Sequence, residues 1–490
     1  PAVFTVSDVE ISGTNESEGY YNSTSNVVTV KVPIANDASL AGGRIYVQGY
    51  FASSAGIDTL GNSASISGGD LGDSITVTLS DTDIESHGGF GHDKVLHVAA
   101  IIKDYAGNST TGNASADTFF VDIEEPTVSG ITYSGNGSDL GEGDDTDVTL
   151  TFSEYVWLTG GLLQTTLETG GVDEILEAAA FDSAITSTKN YVVLEDHITA
   201  ELAASSVGLS AGALRDRAGN DADLTTLPAQ NSNIEIDGVF PVISRIVSTI
   251  VTDTLGVGES AEITVQMSKK VTLSGDSIRV YLNSAAGRYI AIGGISNDSL
   301  LTASYTAFAL DDTLSLNVDS VVVVGVNTLE DAFGNNSVLT LPVGQNLANN
   351  SDIIVDGTAP ATFTVENVAV SGANLSDGYW NTTSNEMTVN VPIADDASLV
   401  GGRVYVQGYF ASTAGLDTLG TSAAITNGDL GGNLTVTLDD GDVTGHSGYG
   451  HDKVMHVAAI IKDYAGNSTT GNASADTFFV DIEEPTVSGI

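Results

Sequence analysis

A chain of 490 residues is too long for one hydrophobic core and calls for three or four domains. Its 64 acidic residues face only 15 lysines and arginines, a net charge of -49; this excludes nucleic acid and anionic membrane as partners, which need a basic face, and leaves carboxylates that only salt or divalent cations can screen. Cysteine is absent, which excludes disulfide staples, thiolate metal sites and thiol nucleophiles, and neither an apolar run of membrane-spanning length nor a signal peptide occurs, so any anchor or targeting segment is expected to lie outside this stretch.

Strand patterns begin at once. "VVTVKV" alternates Val28, Val30 and Val32 against Thr29 and Lys31, and "SITVTL" alternates Ile75, Val77 and Leu79 against Thr76 and Thr78. "DVTLTFS" repeats the pattern with Val148, Leu150 and Phe152, so each segment predicts a half-buried strand. Gly, Asn, Asp and Ser punctuate the chain between them, as in an antiparallel sandwich. "DEILEAAA" from Asp173 has helix-forming composition but sits between strand-like segments. The fold class predicted is all-β.

Shifting the chain by 359 residues lays Phe4 on Phe363, Arg44 on Arg403, His92 on His451, Asp104 on Asp463 and Asp122 on Asp481, and residues 104–131 recur letter for letter at 463–490. Four boundaries share one form, an apolar residue, Asp, three residues, then Pro: Asp122 with Pro126, Asp237 with Pro241, Asp356 with Pro360 and Asp481 with Pro485. Proline ends a β-ladder and fixes the entry of the next domain, so short, stiff linkers are expected. The division is domain one at 1–125 (type A), two at 126–240 (type B), three at 241–359 (type C, B-like) and four at 360–484 (the second type A), with 485–490 opening the next domain. Types B and C resemble one another at their starts, "GEGDDTDVTLTFSEYV" beside "GVGESAEITVQMSKKV". The chain reads as a window on a periodic array with a three-domain unit.

Upstream of each linker Asp lies the word D-x-x-G-N, at Asp104, Asp216, Asp331 and Asp463. "KVLHVAAIIKDYAGN" followed by "DTFFVDIEEPTV" resembles the last hairpin of the bacterial Ig-like domains strung in tandem along large prokaryotic surface proteins and adhesins. The resemblance implies a tandem array of Ig-like antiparallel β-sandwiches, an extracellular cell-surface location and Ca2+ at the domain junctions. The ligands it implies are Asp104, Asn108 and Asp122 in domain one, Asp216, Asn220 and Asp237 in two, Asp331, Asn335 and Asp356 in three, and Asp463, Asn467 and Asp481 in four. Glu124 and Glu483 are additional ligands in the type A linkers, whereas the B and C linkers carry Gly238 and Gly357 and lack those glutamates. Read without the resemblance, D-x-x-G-N is a turn: Asp accepts a backbone N–H, and Gly and Asn take left-handed conformations.

His87, His92 and His97, repeated as His446, His451 and His456, suggest zinc by number but not by spacing, since His92 and His97 point to opposite faces of a strand; a loop feeding a strand is expected instead. Lys94, Lys103, Lys453 and Lys462 are candidates for Lys–Asn isopeptide bonds, and Asn22, Asn108 and Asn467 lie in glycosylation triplets. Tyr20, Tyr21, Tyr379 and Trp380 are aromatic enough to stack on sugars or to fill a core. No Ser-His-Asp or paired-carboxylate arrangement stands out, and no enzymatic activity is expected.

The expected function is that of a non-catalytic stalk of a giant adhesin, with sandwiches on the order of 30 Å long and roughly 100 Å per three-domain unit. The partners expected are copies of itself or neighbouring repeats of the same chain, with any surface or glycan ligand outside this segment. A self-assembling filament, sheath or S-layer and a glycan-binding array remain the alternatives.

Overall fold

The structure is a computed structural model that describes residues 1–51, 57–135, 138–410 and 416–486. The repeated residues 487–490, at the start of the expected next domain, lie outside them. The chain forms two compact units, Pro1–Val239 and Phe240–Ile490. Each unit contains two hydrophobic clusters: Val6–Val121 and Val128–Ile236 in the first, Ile243–Val355 and Val365–Val480 in the second. Each cluster falls within one of the four sequence segments, called modules below.

Module one runs β1 (Ser7–Gly13), β2 (Tyr20–Tyr21), β3 (Ser25–Pro33), β4 (Arg44–Tyr50), β5 (Asp58–Thr59), β6 (Ala64–Ser65), β7 (Ser74–Ser80), α1 (Asp81–Glu85), β8 (Lys94–Lys103), β9 (Ser109–Thr111) and β10 (Thr118–Val121). One sheet has the order β1-β3-β7 and the facing sheet β2-β10-β8-β4-β5. This division of strands is that of an immunoglobulin-like sandwich. The alternation read from the sequence sets the register: Val28 lies opposite Leu79 and Val30 opposite Val77, all buried on one face. In the facing sheet β2 runs parallel to β10, with Tyr20 opposite Phe120 and Tyr21 opposite Val121. The five-residue helix α1 is held by a capping box between Ser80 and Asp83.

Module two comprises β11 (Val128–Tyr133), β12 (Leu140–Gly141), β13 (Asp145–Glu168), β14 (Glu174–Val192), β15 (Ile198–Thr199), β16 (Ala203–Leu209), β17 (Ala213–Arg215) and β18 (Ile236–Asp237). Val148, Leu150 and Phe152 are buried in β13 as their alternation predicts. "DEILEAAA" belongs to β14, where Leu176 and Ala178 face the core and the intervening residues do not. Burial on a strand overrides its helix propensity.

In the second unit, module three pairs Ile243–Ser248 and Asp298–Thr306 with Ser260–Leu273, and sets Thr252–Leu255 parallel to Asp352–Asp356. Module four repeats module one: Tyr379–Trp380 runs parallel to Thr477–Val480, and Lys453–Lys462 holds the position of β8. Trp380 replaces Tyr21 and is 1% exposed, whereas its neighbour Tyr379 is 43% exposed. No helix among the described residues is long and apolar enough to cross a membrane.

Removing the largest buried side chain tests this core. Trp380→Ala should lower the urea-unfolding stability of the second unit by about 3–5 kcal/mol. Tyr379→Ala should cost about 1 kcal/mol or less.

Candidate junction site

Asp104 and Asp122 of module one do not meet. Asp104 follows Lys103 at one end of β8, whereas Val121, the residue before Asp122, pairs with Lys94 at the other end. A ten-residue strand at about 3.3 Å per residue separates them by roughly 30 Å. Asp463 and Asp481 are divided in the same way by Lys453–Lys462. The D-x-x-G-N word and the linker Asp therefore serve opposite ends of their module, and within each unit the linker between its two modules meets the word of the second.

In the first unit, "DRAGN" closes on itself. Asp216 Oδ1 accepts the N–H groups of Gly219 (2.7 Å) and Asn220 (2.8 Å), and Oδ2 accepts Asn220 Nδ2 (2.7 Å). The loop then docks on module one. Asn22 Nδ2 donates to Ala218 O (2.6 Å), Ser17 Oγ to Arg217 O (2.7 Å) and Asn15 Nδ2 to Asp221 Oδ2 (3.1 Å). Gly219 has φ +97°, and a Cβ there would strike the Asn15 carbonyl, so both conformation and contact demand glycine.

The amide of Asn220 occupies a particular place. The parallel β2–β10 ladder continues through Asp122 N–H to Tyr21 O (2.9 Å), and its next rung would join Ser23 N–H to Asp122 C=O. Asn220 stands between them: its Oδ1 accepts Ser23 N–H (2.9 Å) and Ser23 Oγ (2.7 Å), and its Nδ2 donates to Asp122 O (2.9 Å). Asn467 does the same in the second unit, where Oδ1 accepts Val257 N–H (2.8 Å) and Nδ2 donates to Asp356 O (2.7 Å), at the end of the parallel pair of module three. Asp463 holds Asn467 as Asp216 holds Asn220. Both asparagines are buried, at 0% and 7% exposure.

Beside this latch, carboxylate oxygens of Asp122, Glu154 and Asp216 all lie within 4.8 Å of one another, the one such group of three found among the described residues. Burial first, and then Asp216 and Asp122, raise the Glu154 carboxyl from 4.5 to about 7. Burial and then Asp216 also push Asp122 upward. Asp122 Oδ1 is buried with no hydrogen bond; His92 Nδ1 is 3.2 Å away without the alignment for one. This donor set suits a hard, oxygen-seeking divalent cation, for which Asp122, Glu154 and Asp216 would be the ligands.

The remaining predicted residues lie elsewhere. Asp104 and Asn108 bond only each other's loop, and the Asn108 contacts hold the Asp104 carboxyl below its usual range. Glu124 faces His92 (3.9 Å), and Glu483 and Asp481 face His451 (3.7 and 3.4 Å). Asp237 accepts Val239 N–H. Burial raises the carboxyls of Asp356 and Asp463. In module three, Asp331 holds Asn335 and also meets Lys269 Nζ at 3.1 Å. Lys269 in "MSKKV" is the counterpart of Glu154 in "FSEYV". Neither residue stood among the sequence candidates, although this charge reversal is visible when the two starts are compared.

The histidines disperse: His87 packs on Phe51, His97 stacks on Tyr50, and His92 faces the acids. Lys103 and Lys462 lie over Tyr46 and Tyr405. Tyr21 and Trp380 fill cores.

No family model and no curated protein sequence matches the chain. Among solved structures it is similar to the chicken CNTN1 FN1–FN3 domains, at 9% identity over 97% of each chain with a TM-score of 0.17. It is also similar to the ICAM-5 D1–D4 ectodomain fragment, at 12% identity over 95% of this chain and 96% of that one with a TM-score of 0.24. The fold class stands on the strand order described above.

Two measurements check the site. Asn220→Ala strands Ser23 N–H and Asp122 C=O and should cost the first unit about 1–3 kcal/mol in chemical unfolding. In chelator, the Glu154 pKa in the folded state lies above the unfolded value, so between about 4.5 and 7 the folded state holds a proton that the unfolded chain lacks, and stability falls as pH rises through that window. Calorimetric melting of the first unit should therefore drop from about pH 5 to about pH 8, and Glu154→Gln should remove most of the slope.

Proposed function

We propose that this chain is a non-catalytic extracellular repeat region, the stalk of a large cell-surface adhesin, built of modules with boundaries at 1–125, 126–240, 241–359 and 360–484. The observation that carries this reading is the latch: in each unit a module spends its D-x-x-G-N loop on the end of the one before it. The asparagines, glycines and serines used there bind protein, and Tyr21 and Trp380, two of the aromatics that could have stacked on sugars, lie in cores. Strong negative charge keeps neighbouring stalks apart in solution.

The reading includes Ca2+ at the junction of modules one and two, held by Asp122, Glu154 and Asp216. Three crowded carboxylates, one with a buried oxygen lacking a hydrogen bond, are what a divalent cation would relieve. Module three brings its own cation in Lys269, so the sequence substitutes an ammonium where this junction would recruit an ion.

Calorimetric titration of the chain with Ca2+ should show binding that Glu154→Lys abolishes, and Ca2+ should raise the melting temperature of the wild type only. The Glu154→Lys chain in chelator should melt higher than the wild type in chelator. Absence of binding heat together with unchanged melting would remove calcium from the reading and leave the latch standing.

A further inference from the structure

The junction of modules three and four opens into a cleft of about 480 Å³. Module three contributes Asp312, Leu314 and Asp356 to its walls, and module four contributes Asp396, Val400 and Tyr464. The latch of Asn467 on Asp356 is closed beside it, so the opening belongs to a docked junction with both of its modules in place.

The walls combine two chemistries. Leu314 and Tyr464 are 83% and 67% exposed, large apolar surfaces that face water at the cleft. Tyr464 is nonetheless held in place: its N–H donates to Ser398 O (3.2 Å), and Gly401, where a Cβ would stand 2.9 Å from Tyr464 Cδ2, leaves room for its ring. The carboxylates are underused. Asp312 has no hydrogen-bond or ion-pair partner among the described residues. Asp396 accepts Ser398 N–H (3.0 Å) and Asp356 accepts Thr358 N–H (3.1 Å), each through Oδ1, and neither Oδ2 is bonded among the described residues. Burial raises the Asp356 carboxyl, and the charges of Asp312 and Asp396 add to the rise. No lysine, arginine or histidine among the described residues lines the cleft; Arg288 is committed to the buried Asp311 at 2.6 Å.

The first unit draws Asp122, Glu154 and Asp216 to within 4.8 Å of one another, a spacing that a bare ion can span. Asp312, Asp356 and Asp396 are not gathered so closely and stand around an open space with apolar walls. A bare ion there would leave Leu314, Val400 and Tyr464 uncovered, and a neutral hydrocarbon would leave three acids without a counter-charge. We propose that this cleft binds an organic cation, an ammonium carried on an apolar or aromatic stem, with its charge among Asp312, Asp356 and Asp396 and its stem against Leu314, Val400 and the Tyr464 ring. A ligand so placed touches both modules and ties them together. The proposal goes beyond the stalk reading and shares no residue with the calcium group, so either can fail alone.

The test titrates the whole chain with 4-phenylbutylammonium, followed by calorimetry and NMR, in salt that brings the screening length to about 8 Å so that distant carboxylates count little. Binding should saturate at one site and be at least about tenfold tighter than that of ammonium chloride or of 4-phenylbutanol, which carry the charge and the stem separately. The Asp312→Asn, Asp396→Asn double variant should weaken it at least about tenfold, and asparagine at 396 keeps the cap on Ala397–Leu399. Leu314→Ser, at an exposed position, should weaken the phenylbutylammonium about threefold or more and leave ammonium unaffected. Asp319→Asn, which removes an exposed charge outside the cleft, should change nothing. The ligand should also raise the melting temperature of the wild type and not of the double variant. Heats that never saturate, or binding that the double variant leaves unchanged, would overturn the proposal.

Discussion

One side-chain amide at the end of a β-ladder organises the junction within each unit. An asparagine amide has the donor, the acceptor and the planarity of a peptide group, so it can stand in a parallel ladder where the main chain has run out. Asn220 and Asn467 do so at ladders of different length, two residue pairs in module one and four in module three. The rest of the word follows from that duty. Aspartate holds the loop from behind with three hydrogen bonds, one of them from the amide itself, and glycine lets the loop backbone come against its neighbour. A longer glutamine would misplace both atoms, and a β-carbon at the glycine would hold the loop off.

Charge sets the second constraint. With acids so far in excess, a junction that buries carboxylates has to neutralise them by protonation, by an ion or by a basic side chain. The first unit gathers Asp122, Glu154 and Asp216, whereas module three sets Lys269 against Asp331. Two modules with closely similar strands thus meet the same electrostatic demand with opposite charges at one position. That position lies just past Phe152 inside β13, where the pairing shifts register between Thr151 and Val156, and a long side chain at such a break can carry either charge.

Much of this was legible in the residues. Val28, Val30 and Val32 announce their face, the Asp-to-Pro words mark where one hydrophobic cluster gives way to the next, and D-x-x-G-N reads as a turn, which its internal hydrogen bonds and left-handed glycines bear out, although its asparagines do not take the left-handed conformation expected of them. The pairing was not legible. Asp104 and Asp122 are near in sequence, yet an intervening strand carries them to opposite ends of the module, and only strand direction tells which neighbour each one meets. Glu154 was hidden for another reason: it is one acid among 64, and its environment is built by a loop more than sixty residues later in the chain. Helix α1 escaped because five residues held by a single capping box are too few to show a period.

The parallel arrangement of β2 and β10 bears on what happens when the chain is stretched. In each sandwich of this type the early strand enters at one end and the last strand leaves at the other, so tension applied through the linkers loads the bonds between them in shear, all together, instead of peeling them one at a time. Two residue pairs make a short clamp. The amide supplied by the following module adds a rung to it, so the force a module withstands belongs partly to its neighbour, and rupture of one link should leave the module before it easier to unravel.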